Sequence, residues 1–394
     1  MVSELPGLTR RDALIATGIA AGATVALTRR ARAAEPAVLR VERRSTDIAG
    51  RAATVLGFAS LPRGGVIRIG RGERFRAVLA NHLDEPTLIH WHGQTPPTDQ
   101  DGVPDLSQPA LAPGGQYVYD FPARPGTHWL HSHVGLQEQE LLAAPMIVED
   151  PIEPDGDEQE IVVFVQDFTF RAPEEILAEL RAGGGAHAAH GMAGLNDVEH
   201  DAYLTNGRTL DDPEVVTVER GGRVRLRVIN ASAATNVWLD LGRLAGAAVA
   251  TDGNAVVPVA GSRFPLAIAQ RLDIRIAVPG ETGSWPVLAL REGGRERGGL
   301  VLATAGATVA RVDAMGDGMA PAVDLSLERN LAAVAGLQSR PADRTLDVVL
   351  TGGGADYVWS LDDRVFGRHE PIGVRSGERV AVTFRNTTRM AHPM

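Results

Sequence analysis

Three segments of the sequence follow the same ten-residue pattern, and this repeat constrains the fold more than any other feature. Residues 72–81, 221–230 and 377–386 each begin with glycine, carry arginine two positions later, continue with alternating apolar residues and end on asparagine. Alternating apolar residues between two turn residues are typical of a strand with one buried face. One such match occurs by chance in many β proteins, but three aligned copies predict a repeated structural unit.

The spacing of the copies sets the size of that unit. They begin 149 and 156 residues apart, which is the length of a whole domain and too long for a solenoid repeat. The intervening sequence consists mostly of short apolar stretches broken by Gly and Pro, so we predict an all-β chain of tandem sandwich domains. The clearest helix candidate is residues 173–182, with Pro173 at its start and two glutamates in its first turn.

The predicted domains occupy residues 38–152, 157–312 and 340–394. The first two are long enough for complete sandwiches. The third has only about 50 residues after Arg344, whereas a sandwich of this type needs about 100. We therefore expect two complete domains and one partial domain, as in a truncated form of a longer protein.

Residues 1–33 have the pattern of an export signal. Arg10 and Arg11 precede an apolar run over residues 13–27, and Ala31 and Ala33 match the small residues of a cleavage site. The paired arginines resemble the twin-arginine export motif, and the apolar run is too short to span a bilayer. The sequence predicts a periplasmic or secreted protein with no membrane span after signal removal, the alternatives being an ordinary signal peptide or a short anchor.

Charge and cysteine content exclude several classes of function. All 39 basic residues are arginine and the formal net charge is −10. Nucleic acid is therefore not an expected partner, because phosphate binding needs a basic surface. The chain has no cysteine, which excludes disulfides, thiolate nucleophiles and cysteine-ligated metal centres within it.

Two His-X-His pairs mark a candidate metal site in the first domain. They are His90 with His92, and His131 with His133. Residues i and i+2 of a strand point to the same side, so each pair presents two adjacent imidazoles, and two neighbouring strands gather four. Imidazole suits copper, zinc, iron and nickel, whereas calcium and magnesium require oxygen ligands. The sequence therefore predicts a transition-metal site.

At these residues the sequence resembles the multicopper oxidase family, which includes laccases and bacterial cuprous oxidases. The matching segments are residues 90–93 (HWHG), 101–102 (DG), 113–114 (PG), 119–121 (YDF), 126–133 (GTHWLHSH), 204–207 (LTNG), 225–230 (RLRVIN) and 251–253 (TDG). The resemblance covers nearly everything after the export signal. It implies tandem cupredoxin-like Greek-key sandwiches that hold copper.

The resemblance also implies roles for individual residues. A multicopper oxidase takes electrons one at a time at a type 1 copper and reduces dioxygen to water at a trinuclear cluster. By position, His90 would bind the type 2 copper, and His92, His131 and His133 would bind the type 3 pair. Asp101 matches the acid that supplies protons to the oxygen chemistry, although an aspartate before glycine is also common in turns.

The type 1 site implied by the resemblance is incomplete in this sequence. Such a site takes a cysteine, two histidines and often an axial methionine. Residues 391–394 (AHPM) match only the opening of the C-terminal ligand segment, in which His392 would be a type 1 ligand. Because the cysteine is absent, the 394-residue chain alone is expected to lack oxidase activity.

Several other polar residues give weaker signals. His128 lies three positions before His131, on the opposite strand face, which indicates packing or support of a ligand. His82 and His200 are expected at the surface, and residues 183–193 are expected to form a solvated loop. Candidates for the wall of a channel to the cluster are Gln94, Gln137 and Gln139.

The preferred function is an exported, monomeric oxidase with dioxygen as acceptor and phenol-like molecules or metal ions such as Cu(I) as donors. A structural cupredoxin protein is expected to have lost the His-X-His pairs, which this chain retains. A two-domain copper nitrite reductase is expected to carry a cysteine ligand in its first domain. The remaining alternative is a protein that binds copper without turnover.

Overall fold

The computed structural model describes residues 36–61, 65–150, 156–184, 195, 197–353, 357–368, 370–388, 390–392 and 394. Regular structure in these ranges is almost entirely β, and this confirms the predicted all-β class. The predicted export signal, and the histidines at 187 and 190 of the predicted loop, lie outside the described residues. Those interpretations remain predictions.

The first sandwich consists of strands β1 (Ala37–Ile48), β2 (Arg51–Phe58), β3 (Ile67–Ile69), β4 (Arg74–Asn81), β5 (Ile89–His92), β6 (Gln116–Pro122), β7 (Gly126–Ser132) and β8 (Ala143–Val148). One sheet has the order β2-β1-β4-β6 and the other β3-β8-β7-β5. The core between them includes Leu79, Trp91, Tyr119, Phe121 and Leu130. Strand β5 is an edge strand beside β7, so the two His-X-His strands are neighbours.

The second sandwich consists of strands β9 (Gln159–Phe168), β10 (Ala202–Thr205), β11 (Val215–Val218), β12 (Arg223–Asn230), β13 (Val237–Asp240), β14 (Gly246–Thr251), β15 (Asn254–Gly261), β16 (Arg263–Leu266), β17 (Arg271–Ala277), β18 (Ser284–Arg291) and β19 (Arg297–Thr304). Its sheets have the orders β10-β9-β12-β17-β14-β15 and β11-β19-β18-β13-β16. They enclose their own apolar core, which includes Leu226, Leu239, Ile274 and Leu300.

Helical structure is limited to short pieces in the described ranges. Helix α1 (Pro173–Glu179) begins at the predicted proline, whose fixed φ and missing N–H suit the first helical position, and it continues as a π-helical turn over Leu180–Gly184. Two 3₁₀ turns cover Thr98–Gln100 and Glu328–Asn330. These described helices are all too short or too polar to cross a bilayer.

A three-stranded sheet forms the C-terminal part of the chain. Its strands are β20 (Arg344–Gly353), β21 (Val358–Leu361) and β22 (Val380–Asn386), in the order β21-β20-β22. Val348 and Leu350 are buried, but Val382 and Phe384 of β22 expose 41% and 46% of their surface. Within the described ranges, part of the apolar surface of this sheet is therefore uncovered.

Each predicted repeat strand is present, as β4, β12 and β22. The glycines that open the repeats, at 72, 221 and 377, have φ values of +67°, +69° and +81°, a conformation that favours glycine. The closing asparagine accepts a hydrogen bond from the backbone N–H two residues later in all three copies: Asn81 from Leu83, Asn230 from Ser232 and Asn386 from Thr388. Its amide also donates to a following carbonyl, which turns the chain out of the strand.

The first and second sandwiches pack against each other through β7. Trp129 on this strand lies in an apolar cluster with Val162, Phe164 and Ile229 of the second sandwich. On the same strand face, Thr127 donates a hydrogen bond to Asp273 of β17. The strand that carries His131 is thus held by both domains.

Candidate metal centre

Strands β5 and β7 bring the four predicted imidazoles together. Their antiparallel register sets His90 opposite His131 and His92 opposite Trp129. The ring centroid of His90 lies 5.7 Å from that of His92, 5.7 Å from that of His131 and 4.9 Å from that of His133. The intervening Trp91 is fully buried in the core. The alternation of a strand therefore separates a core face from an imidazole face, as the sequence predicts.

Specific ring nitrogens face into this cluster. Nδ1 of His92 lies 3.3 Å from Nε2 of His131. Two nitrogens that ligate one ion at about 2 Å each cannot be more than about 4 Å apart, so this pair is close enough to share an ion. Nδ1 of His90 lies 2.7 Å from the carbonyl oxygen of Asp101 and must donate to it, which leaves Nε2 of His90 with the lone pair.

Burial favours the uncharged form of His90, His92 and His133. It lowers the pKa of His92 to about 2, and the nearby guanidinium of Arg271 acts in the same direction. Burial also lowers the pKa of His133 to about 4 and shifts the pKa of His90 downward. Neutral imidazole is the form that binds a metal, because the ligating nitrogen must be unprotonated.

The side chains at the cluster offer donor atoms that copper prefers. All four predicted donors are imidazole nitrogens, which suit copper. No three histidine, aspartate or glutamate side chains of the described residues converge on one point as they would around a single ion.

Trp129 forms one wall of the cluster. Its ring stacks on His131 with 4.1 Å between centroids and 10° between planes, and it lies 5.1 Å from the ring of His92. Trp129 is buried and faces the second sandwich. The apolar ring excludes water from that side and fixes the plane of His131.

Asp101 lies beside the cluster in a tight turn. Its carboxylate oxygen is 3.5 Å from Nδ1 of His90, and its side chain is 35% exposed. The turn packs directly on β5, because a Cβ at Gly102 would lie 1.8 Å from the carbonyl oxygen of Ile89. Asp101 is thus both a turn residue and a carboxylate that contacts the cluster and solvent.

Sequence reasoning missed Glu138. Its carboxylate lies 3.0 Å from Nδ1 of His131, although no motif or periodicity marks it. It follows β7 in an irregular turn, so only the three-dimensional structure brings it to the ligand strand.

Two of the predicted channel residues are buried and hydrogen-bonded to the backbone. Gln94 and Gln137 are buried, and each ties separate backbone segments together. Gln94 exchanges hydrogen bonds with the backbone of Arg124, and Gln137 donates to the carbonyl of Pro86. These bonds fix both side chains in place, and their role as wall residues of a channel stays a prediction.

The other histidines separate into buried and exposed residues. His82 is exposed, as predicted, but His200 is not a surface residue, because its side chain is only 7% exposed and lies 3.6 Å from Asp167. His128 is fully buried and bonds the carbonyl of Pro125. A Cβ at Gly253 of the second sandwich would lie 2.6 Å from the His128 ring, so this histidine packs at the domain boundary.

His392 lies in the C-terminal part of the chain. Its Nε2 is 2.8 Å from the hydroxyl of Thr388, and its ring is 4.9 Å from that of Trp359. These contacts do not test its role as a type 1 copper ligand, which stays a prediction.

Comparison with known proteins identifies relatives of both sandwiches. Two family models described as multicopper oxidase match residues 40–153 and 159–311. Multicopper oxidase MmcO of Mycobacterium tuberculosis is 30% identical over 373 residues, which is 88% of this chain and 72% of the relative. Copper resistance protein A of Escherichia coli is 32% identical over 254 residues, 55% of this chain and 42% of the relative.

Solved structures share the fold. The multicopper oxidase Fet3p, which functions in iron import, aligns with a TM-score of 0.72 at 14% identity over 85% of this chain and 64% of its own. A laccase from Botrytis aclada aligns with a TM-score of 0.70 at 22% identity, over 84% of this chain and 64% of its own. This chain thus spans less than two thirds of several relatives. The sequence matches to both sandwiches and to MmcO show that the chain belongs to the multicopper oxidase family.

Proposed function

We propose that this protein is an exported copper-dependent oxidase that couples one-electron oxidation of a donor to reduction of dioxygen to water. The observation that carries this proposal is the cluster of four imidazoles that β5 and the end of β7 bring together. His90, His92, His131 and His133 would hold the copper of a trinuclear cluster. Copper, when bound, supplies the one-electron redox chemistry.

The chain's own residues supply position and protons. Reduction of one dioxygen molecule to two waters consumes four electrons and four protons. The carboxylate of Asp101 reaches both solvent and the imidazole of His90, so it can take up protons from water and carry them to the cluster. Trp129 keeps water out of the opposite side and holds the plane of His131.

The donor proposed here is Cu(I) or a phenolic molecule. Relatives named for copper resistance support the metal ion, and relatives named laccase support an organic donor. The electron-entry site would include His392. The 394 residues contain no cysteine, which a type 1 site requires, so we propose that the chain alone holds copper without oxidase turnover.

Export and oligomeric state are part of the same proposal. Residues 1–33 would be removed during export to the periplasm or beyond, and the protein would act as a monomer. Bacterial copper resistance relatives are consistent with export. N-terminal sequencing of the protein recovered outside the cytoplasm tests the cleavage, and recovery of an uncleaved chain would contradict it.

Copper loading tests the proposed function. The purified chain is incubated with Cu(II) at pH 7.5, freed of excess metal, and assayed for copper per chain and for its electron paramagnetic resonance spectrum. We expect copper retention that H131A reduces and H82A does not, because His82 is exposed and lies outside the paired strands β5 and β7. Absence of retained copper in the parent would overturn the proposal.

Oxygen uptake separates the two remaining functions. The assay offers Cu(I) or a phenol as the donor. Retention of copper without oxygen uptake supports a chain that binds copper but has no oxidase turnover by itself. Oxygen uptake by the copper-loaded 394-residue chain would show that the expected inactivity is wrong. The absence of cysteine favours the first result.

A further inference from the structure

A carboxylate outside the predicted ligand set contacts one of the ligands. Oε2 of Glu138 lies 3.0 Å from Nδ1 of His131, and the glutamate side chain is 23% exposed. An ionised carboxylate has only hydrogen-bond acceptors, so Nδ1 of His131 must carry the proton in this contact. Nε2 of His131 then holds the lone pair, and it is this nitrogen that lies 3.3 Å from Nδ1 of His92.

The turn that carries Glu138 is fixed by its neighbours. The side-chain oxygen of Gln137 accepts hydrogen bonds from the hydroxyls of Thr87 and Ser132, at 2.7 Å and 2.8 Å. Thr87 precedes β5 and Ser132 ends β7, so Gln137 links the two ligand strands and anchors the residue beside it. A buried hydrogen-bond network therefore positions Glu138 next to His131.

The backbone of the same turn is in an uncommon conformation. Leu141 has φ of +70°, and its N–H donates to the carbonyl of Glu138. A left-handed conformation at a non-glycine residue costs of order 1 kcal/mol and persists where the surrounding structure determines it. Here it closes the turn that returns the chain from Glu138 to β8.

We infer that Glu138 is a positioning residue that locks His131 in the tautomer with its proton on Nδ1, so that Nε2 is presented to copper. A histidine that ligates a metal commonly donates its other N–H to a carboxylate, and loss of that partner weakens metal binding about 10- to 100-fold. The effect on copper rests on the proposed function above. The tautomer of His131 does not depend on the proposed function.

The first test reads the tautomer without copper. The metal-free chain, labelled with ¹⁵N-histidine, is studied by NMR at pH 8, with the His131 signals assigned by their loss in H131Q. We expect the Nδ1–H tautomer in the parent and in E138Q, because the glutamine oxygen also accepts, and a shift towards Nε2–H in E138L. An unchanged His131 tautomer in E138L would overturn the inference.

Glu140 provides a matched control. It lies two residues further along the turn, its side chain is 24% exposed, and it pairs with Arg43 at 3.3 Å rather than with a histidine. We expect E140L to keep both the His131 tautomer and the copper affinity of the parent. An equal tautomer change in E138L and E140L would show a general disturbance of the turn and would also overturn the inference.

The second test measures copper affinity by competition with a chelator. We expect E138L to bind copper about 10- to 100-fold more weakly than the parent, with E138Q intermediate and E140L unchanged. Equal affinity of E138L and parent would contradict the positioning role. If the parent binds no copper, the proposed function fails, whereas the NMR result still decides the tautomer.

Discussion

Thr127 of the first sandwich donates a hydrogen bond to Asp273 of the second, with 2.5 Å between the hydroxyl and carboxylate oxygens. Asp273 also accepts from Arg225 at 2.7 Å and from Arg227 at 2.8 Å. All four side chains are buried. Because Thr127 lies four residues before His131 on β7, this cross-domain bond fixes the start of a ligand strand to the neighbouring domain.

Removal of the Thr127 hydroxyl is expected to destabilise the fold. T127V keeps the shape and β-branching of the residue but removes a hydrogen bond to a charged group, which typically contributes about 1.5–3 kcal/mol. Urea denaturation should show a loss in that range. The control T217V changes an exposed strand residue and should shift the free energy of unfolding by less than about 0.5 kcal/mol. Equal effects of the two variants would contradict a special role for the cross-domain bond.

Neutralising Asp273 is expected to lower the free energy of unfolding more than removing its threonine partner does. D273N leaves the buried guanidinium groups of Arg225 and Arg227 without their shared carboxylate, and breaking a buried ion pair typically costs about 3–5 kcal/mol. The free energy of unfolding measures this loss. Asp240 pairs with Arg263 at 3.8 Å in a more exposed setting, so D240N should cost less than about 1 kcal/mol. A D273N loss as small as that of D240N would contradict the prediction.

The sequence predicted the parts of the site that follow strand periodicity. The four imidazoles of β5 and β7 come together because an i, i+2 pattern places them on one face, and the closing asparagines mark the strand ends. Glu138 was missed because irregular turns have no period that reports side-chain direction. The bond from Thr127 to Asp273 joins residues 146 positions apart, and neither residue carries a local signal for it. Periodic, local features were thus predictable, and contacts between loops or domains were not.

The stability of the copper-free chain should fall as the pH drops below 6.5. Burial lowers the pKa of His128 from 6.5 to about 4, and Arg271 acts in the same direction. Between these values the unfolded state binds more protons than the folded state, so stability is complete above pH 6.5 and declines towards pH 4. A shift of this size corresponds to about 3 kcal/mol for His128 alone. Urea denaturation at pH 7.5, 5.5 and 4.5 measures the decline.

Substitution of His128 isolates its share of the pH dependence. His92 and His133 contribute with the same sign, so H128Q is expected to flatten the decline rather than abolish it. H82Q changes an exposed histidine, so its free energy of unfolding should decline with falling pH as steeply as that of the parent. A slope in H128Q equal to that of the parent would show that protonation of His128 does not oppose folding.

Substitution of Gly102 should disturb the turn that holds Asp101 against His90. Gly102 has φ of +78°, and an added Cβ would lie 1.8 Å from the carbonyl oxygen of Ile89, the residue before His90. Gly114 has φ of +74° with no atom within 4 Å of an added Cβ, so G114A carries the conformational cost without the clash. We expect G114A to cost about 1 kcal/mol and G102A to cost clearly more and to weaken copper retention. Equal unfolding free energies for the two variants would show that the turn at Asp101 yields to the added methyl group.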